Sequence, residues 1–443
     1  MIHRHSLYSD LINVLILGSG GREHALGWKL SESEEVRRIF FAPGNGGTMQ
    51  NVKIQPSEVD KLKIFARQND CFTIVGPESP LAKGIVDSFV EAELEIFGPT
   101  KNAALLESSK GFAKHFMHEN GIPTPRFQIF SDAEKAKDHV TERRNDLVIK
   151  ADGLASGKGV VICNGPEQAI EAIDNIMVKK QFGQSGDSII VEEKISGREC
   201  SFIVICDGKT TVPLSSSQDH KRIFDNDEGP NTGGMGSYSP TPLVDEDLYG
   251  KIMKHVILPT VKGMKERGNP FKGFLYAGII VEEHTNKPYV LEFNVRMGDP
   301  ECQSILMRMD SDLMKYLKSA SHEQLDSMPP IKWKNDFAVC VVMASRGYPG
   351  EYVQGHPIRG LEHNFGKDVM VFHSGTQVDT KNRIIATGGR VLGVTALGRT
   401  IRNARNTAYS AVQRISWGRN DQNYRKDIAR RYSNVNKQAC YFP

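Results

Sequence analysis

The chain lacks the features that mark several protein classes. Its seven cysteines, at 71, 163, 200, 206, 302, 340 and 440, include no Cys-x-x-Cys pair. Their odd number and scatter argue against a zinc site or a disulfide framework and fit a reducing cytosol. No apolar run approaches the roughly 20 residues needed to cross a bilayer. The N-terminal His3, Arg4 and His5 precede a short Leu11–Leu17 run that is interrupted by Asn13 and followed by Gly-Ser-Gly-Gly. That pattern reads as a strand after an extension, not as a leader. Charge of one sign is also scarce, since 56 Lys+Arg against 53 Asp+Glu leave +3. Steering toward nucleic acid is therefore weak. Internal repeats and low-complexity tracts are missing as well. A cytoplasmic enzyme or binding protein remains, and 443 residues suggest two to four domains.

What is present alternates. Asn13–Leu17, Arg38–Ala42, Phe72–Val75 and Glu95–Phe97 read as short strands, with helices at Arg22–Ser31 and near Leu81–Glu91. Such alternation predicts a parallel α/β sheet. Turn signals at Pro43-Gly-Asn-Gly-Gly47, Gly76-Pro77 and Gly98-Pro99 follow strands, at the edge where such sheets bind ligands. A boundary falls near Ser109–Asn120. Longer β-branched strands follow at Leu147–Lys150, Gly159–Cys163, Ser188–Glu193 and Glu199–Cys206, with one helix around Pro166–Val178, which suggests an α+β module. Met328-Pro-Pro reads as a linker. A strand-rich unit starts at Asp336 and ends in a basic stretch, Arg399–Arg431, read as a solvated helical face because stacking aromatics are not interleaved. The expected fold class is thus α/β and α+β multidomain.

The most informative segment is Tyr289-Val-Leu-Glu-Phe-Asn-Val-Arg-Met-Gly-Asp-Pro-Glu301. Residues i and i+2 of a strand share a face, so Glu292 and Asn294 point two hard oxygen donors into one site. That pair suits Mg²⁺, which takes few carboxylates and completes its shell with water and phosphates. Gly18-Ser-Gly-Gly-Arg-Glu-His24 follows a strand and opens a helix, as a phosphate loop would. It is not a dinucleotide fingerprint, because the third glycine position holds Glu23 and the later acid is missing. Gly153-Leu-Ala-Ser-Gly-Lys-Gly159 fails the P-loop spacing, yet a flexible loop with Lys158 at its tip suits a lid over a triphosphate. Lys150, on an apolar strand, needs an anionic partner or a route to water. Ser217–Arg222 and Gly229–Gly236 form one long polar, glycine-rich segment, as ordered functional loops do. Asp219 and Lys221 there offer both signs of charge.

Taken together these segments resemble the phosphoribosylamine–glycine ligase family of the ATP-grasp superfamily. The resemblance runs from about Asn13 to Arg431 and includes Phe97-Gly-Pro-Thr100, Thr387-Gly-Gly-Arg-Val-Leu392 and Tyr424-Arg-Lys-Asp-Ile-Ala429. Its most specific string is Arg296-Met-Gly-Asp-Pro-Glu301, with Met297 and Cys302 as variants within the signature. It implies an N-terminal parallel α/β domain over 12–112, an ATP-grasp module over 113–334 with a lid at about 125–193, and a small strand-rich C-terminal domain over 335–443. ATP would lie between two sheets. Lys110, Lys150, Gly157 and Lys158 would meet its phosphates, Glu192, Glu193 and Ile195 would line the adenine, and Glu199 would hold the ribose. Glu292 and Asn294 would hold Mg²⁺ or Mn²⁺. A third metal carboxylate common in the superfamily is missing from Tyr276-Ala-Gly-Ile-Ile280. Gly18, Gly20 and Gly21 would take the ribose phosphate of the amine. Asp219, Lys221, Arg296 and Asp299 would orient glycine or the amine, with Arg296, Lys158 and Asp219 as the catalytic set. The implied reaction joins glycine to 5-phosphoribosylamine at the expense of ATP, through glycyl phosphate, in de novo purine biosynthesis. Partners are small molecules, not nucleic acid or membrane. The expected form is a monomer with transient contact to the enzyme that supplies the amine. A bicarbonate-activating ATP-grasp carboxylase, a nicotinamide oxidoreductase and a non-catalytic nucleotide-binding module remain as alternatives.

Overall fold

The computed structural model describes residues 11–143, 146–155 and 159–432. The first strands are β1 (Ile12–Gly18), β2 (Val36–Pro43), β3 (Cys71–Val75) and β4 (Ile96–Phe97), in the order β2-β1-β3-β4 and all parallel. β1 is buried on both faces, as parallel strands are. Leu15 and Leu17 enter one hydrophobic cluster, while Val14 and Ile16 enter another. The helix expected near Leu81–Glu91 is two short helices, Glu78–Ala82 and Ile85–Glu91, parted by Gly84 at φ +85.

Next come β5 (Phe127–Phe130), β6 (Leu147–Ala151), β7 (Val160–Cys163) and β8 (Ile189–Glu193), an antiparallel sheet of order β5-β8-β6-β7. The helices Ala133–Arg143 and Pro166–Ile173 pack on it around a separate core that includes Val140, Ile149, Ile173 and Val191. This unit closes its own core. The second sheet is built from β9 (Gly197–Asp207) and β10 (Thr211–Pro213), with two strands from further along the chain. Between them lie β11 (Gln218–Asp219), the hairpin β12 (Arg222–Phe224) and β13 (Glu228–Asn231), and β14 (Gly236–Ser239). Then β15 (Lys272–Glu282) and β16 (Pro288–Asn294) complete the antiparallel order β10-β9-β15-β16. Alternate residues of β9 serve different cores: Phe202 and Val204 one, Ile203 and Ile205 the other.

The C-terminal sheet is led by β17 (Phe337–Ser345), and β11 and β14 extend it, with Ser237 opposite Cys340. The ends of the polar segment read from 217 to 236 therefore belong to this sheet, while its middle forms the separate β12–β13 hairpin. The last strands named here are β18 (His356–Arg359), β19 (Val369–His373), β20 (Thr376–Val378), β21 (Ile384–Ala386) and β22 (Arg390–Gly398). The basic stretch is helical only over Ile401–Val412, capped by Thr400, which accepts from Asn403 N. Beyond it the chain turns back through short strands and turns, because Ile415 and Trp417 enter the core at a two-residue period. Arg425, expected on a solvated face, is 1 % exposed. It pairs with Asp227 at 2.8 Å and Asp427 at 2.8 Å, which pins the β12–β13 hairpin. Among the described residues no helix is long and apolar enough to cross a membrane.

Candidate active site

Glu292 and Asn294 lie on β16 opposite Gly278 and Tyr276 of β15. Glycine at 278 leaves room for the carboxylate, since a Cβ there would lie 3.2 Å from Glu292 Cγ. Lys221 Nζ stands 3.6 Å from Glu292 Oε1 and 3.4 Å from Glu199 Oε2, so these carboxylates share one ammonium. Burial pushes the Glu292 carboxyl up, but Lys221, Lys110, Lys150 and Arg296 outweigh it and hold it at about 2. The carboxylate is ionised because four cations surround it. Asn294 is 7 % exposed, and its amide has no hydrogen-bond partner among the described residues. The couple therefore fits a hard divalent cation: one anionic oxygen and one uncommitted amide oxygen. Where a third acid was missed, Tyr276 donates to Glu301 Oε1 at 2.6 Å.

The sheet β5–β8 and the helix Lys110–Glu119 together form a buried ion triad. Glu192, 1 % exposed, takes Lys150 Nζ at 2.9 Å and Lys114 Nζ at 3.0 Å. Lys150 Nζ also donates to Leu291 O at 3.0 Å, which ties β6 to β16 beside Glu292. Lys114 Nζ donates to Thr124 Oγ1 at 2.6 Å. Burial pulls the Lys114 ammonium down and Glu192 opposes it, leaving it at about 8. The Glu192 side chain is thus committed to these two lysines. Glu193 accepts from Arg126 N at 3.1 Å, Ile195 is half-buried and Glu199 exposed. Lys110 Nζ donates to Gly153 O at 3.1 Å, at the root of the glycine loop. Gly157 and Lys158 lie outside the described residues. Lys114 was not singled out from sequence. Its signal was the four-residue spacing from Lys110, which puts both on neighbouring turns of the Lys110–Glu119 helix.

Beyond β16 the chain meets three other regions. Arg296 pairs with Glu107 at 2.9 Å and Glu78 at 3.4 Å. Asp299 Oδ1 accepts from Gln303 Nε2 at 2.9 Å, and its Oδ2 lies 3.4 Å from Arg390. Burial raises the Asp299 carboxyl, but Arg390 and Arg22 prevail and hold it below its ordinary range. Asp219 shows the opposite balance: burial and then Glu301 raise it well above the usual carboxylate range. Arg390, from the C-terminal sheet, donates to Asp299 O at 2.6 Å and Gly233 O at 2.6 Å. It joins the glycine-rich segment to the Asp299 turn, a role the sequence offered only as part of the string Thr387–Leu392.

The Gly18–Gly21 loop answers first to the chain's own Glu23. Gly20 N donates to Glu23 Oε2 at 2.5 Å, and Cβ atoms at Gly18 and Gly20 would sit 2.7 Å from Glu23 side-chain atoms. A Cβ on Gly76 would collide with Glu23 Oε1. Gly21 instead faces Gln303 Nε2 and Ser374 Oγ, at 2.6 and 2.7 Å from an added Cβ. The loop thus gathers N-terminal, ATP-grasp and C-terminal residues at one point. Gly76→Ala is expected to destabilise the fold by about 1–3 kcal/mol through overpacking against a buried ion pair, as read by urea denaturation. Wild-type stability would show that Glu23 moves aside freely.

Comparison with known proteins follows this geometry. Three family models match consecutive parts of the chain: phosphoribosylglycinamide synthetase N domain at 12–107, ATP-grasp (A) domain at 108–302 and C domain at 338–431. A phosphoribosylamine–glycine ligase of Neisseria meningitidis serogroup B is 46% identical over 424 residues, covering 94% of this chain and 99% of the relative. One from Rhodopirellula baltica is 46% identical over 417 residues, covering 91% and 94%. The crystal structure of phosphoribosylamine–glycine ligase from Thermotoga maritima superposes with a TM-score of 0.82 at 32% identity, over 94% of this chain and 100% of that one. The biotin carboxylase domain of Hydrogenobacter thermophilus 2-oxoglutarate carboxylase, solved with MgADP and bicarbonate, matches at TM-score 0.71 and 16% identity, over 93% and 91%. That last likeness speaks for the fold alone.

Proposed function

The chain belongs to the phosphoribosylglycinamide synthetase family, and from that premise we propose how its residues divide the work of an ATP-dependent ligase. The reaction joins glycine to 5-phosphoribosylamine, giving glycinamide ribonucleotide, ADP and phosphate in purine biosynthesis. A free carboxylate is a poor acyl donor because oxide would have to leave. Transfer of the ATP γ-phosphoryl group makes glycyl phosphate; the amine then attacks its carbonyl carbon and phosphate departs.

The observation that carries the residue assignment is the gathering of Lys110, Lys150 and Lys221 around the ionised Glu292 at one end of β16. Triphosphate oxygens lie against Lys110, Lys150 and the loop bearing Lys158, which offset the charge that builds in the transition state. Glu292 and Asn294 hold Mg²⁺ or Mn²⁺, which when bound neutralises phosphate oxygens and fixes their orientation. The backbone of Glu192–Ile195 lines the adenine, and Glu199 accepts from the ribose. Gly18, Gly20 and Gly21 border the ribose phosphate, while Asp219, Lys221, Arg296 and Asp299 orient glycine and the amine. The lid excludes water from the acyl phosphate. We place the enzyme in the cytoplasm, in keeping with six free, buried cysteines among the described residues, as a monomer that takes the labile amine from the enzyme that makes it.

A coupled ADP assay with each substrate omitted in turn tests this reading. ADP release is expected to fall to background without glycine and to need the ribosylamine for sustained turnover. Full-rate release with bicarbonate in place of glycine would assign the chain to carboxylase chemistry instead.

A further inference from the structure

Glu107 sits on the short helix Leu105–Ser108, at the junction between the first sheet and the ATP-grasp module, and is 8 % exposed. Its two carboxylate oxygens do different things. Oε2 accepts from Val295 N at 2.7 Å, the backbone amide directly after Asn294. Oε1 pairs with Arg296 NH2 at 2.9 Å. The remaining guanidinium nitrogens are also fixed, Nε on Glu78 Oε2 at 3.4 Å and NH1 on Met297 O at 3.3 Å. One carboxylate therefore sets both the end of the strand that carries the Glu292–Asn294 couple and the direction of the next charged side chain.

One buried and one half-buried carboxylate beside one guanidinium exceed what a domain junction requires. An apolar contact would join the helix to β16 without the desolvation cost of the charges. Two short helices and the chain just past β16 come from three separate parts of the sequence, at 78, 107 and 295–296, and converge on the residues assigned to phosphoryl transfer. We propose that Glu107 is a positioning residue for the ligation, holding Val295 and Arg296 so that the metal couple and the guanidinium keep a fixed mutual geometry; this rests on the reading of Glu292–Arg296 as the reacting end. Glu107 does not itself touch substrate. Its effect reaches the reaction through Arg296 and the β16 terminus, where a displacement on the order of 1 Å costs about 10²-fold in rate.

Glu107→Gln and Glu107→Asp, measured together, decide it. The glutamine keeps an oxygen for Val295 N but loses the charge facing Arg296. It is expected to lower kcat by about 10- to 100-fold, with KM for ATP within about twofold and thermal unfolding close to wild type. The aspartate retains the charge at a shorter reach and is expected to recover part of the lost kcat. Wild-type kcat in Glu107→Gln would overturn the proposal. So would losses in both variants that track only the fraction folded, and should the glutamine not fold, a soluble Glu107→Asp with unchanged kcat would do the same. Failure of the functional reading looks different: the wild-type enzyme would then release no glycine-dependent ADP.

Discussion

Glu292→Ala is expected to cut ADP formation by about 10²–10³-fold or more while leaving the fold intact. The carboxylate is the one anionic donor of the couple, and four cations hold it ionised at about 2. Removing it strips the proposed cation site to an amide and leaves Lys221 paired with Glu199. Stability should change little, because Glu292 is one-third exposed on its side chain and its contact with Lys221 is loose at 3.6 Å. Steady-state ADP release, Mn²⁺ binding by paramagnetic resonance and thermal unfolding give the three readouts. Weakened Mn²⁺ binding with lost turnover and retained melting supports the assignment. Turnover near the wild-type rate refutes it.

Glu192→Ala acts on the other axis, stability. It leaves Lys114 and Lys150 buried without the carboxylate they share. Breaking one member of a buried ion group costs about 3–5 kcal/mol. Leu291 O and Thr124 Oγ1 still accept from the two ammoniums, which limits the loss. The effect should be local, because the lid has its own core, so hydrogen exchange in β6 and β8 rises before that in β9 and β15. The same triad gives the lid an acid limit. Burial raises the Glu192 carboxyl, but Lys150 and Lys114 outweigh it and hold it below its ordinary value. Its contribution is complete above the unfolded carboxylate pKa and is lost as pH falls through the lower folded value. Exchange in β6 and β8 unaltered by Glu192→Ala would show that the triad does not hold the lid.

The parallel first sheet was legible because four short apolar runs alternate with helical patterns, and both faces of β1 are buried as such runs imply. The placement of Glu292 and Asn294 on one strand was legible because a period of two puts them on one face without any tertiary knowledge. What escaped depends on distant partners. Arg296 and Glu78 stand 218 positions apart, and Arg390 lies 91 from Asp299; no local period encodes either contact. Glu192 was expected to line the adenine; that its carboxylate is buried against two lysines from different elements had no local signal. The glycine loop read as a phosphate cradle, and within the structure Gly18 and Gly20 also make room for the Glu23 side chain. The basic C-terminal stretch read as one helix because its arginines spread around a helix among Asn and Gln. Its apolar residues change period after Val412, and that change was the signal.

The most direct test of ATP-driven activation of glycine is to follow the carboxylate oxygen itself. With glycine labelled by ¹⁸O in the carboxyl group, the account predicts one labelled oxygen in the phosphate released per turnover, seen by ³¹P resonance or mass spectrometry. Phosphate free of label during normal product formation would contradict it, because glycyl phosphate could not then lie on the path.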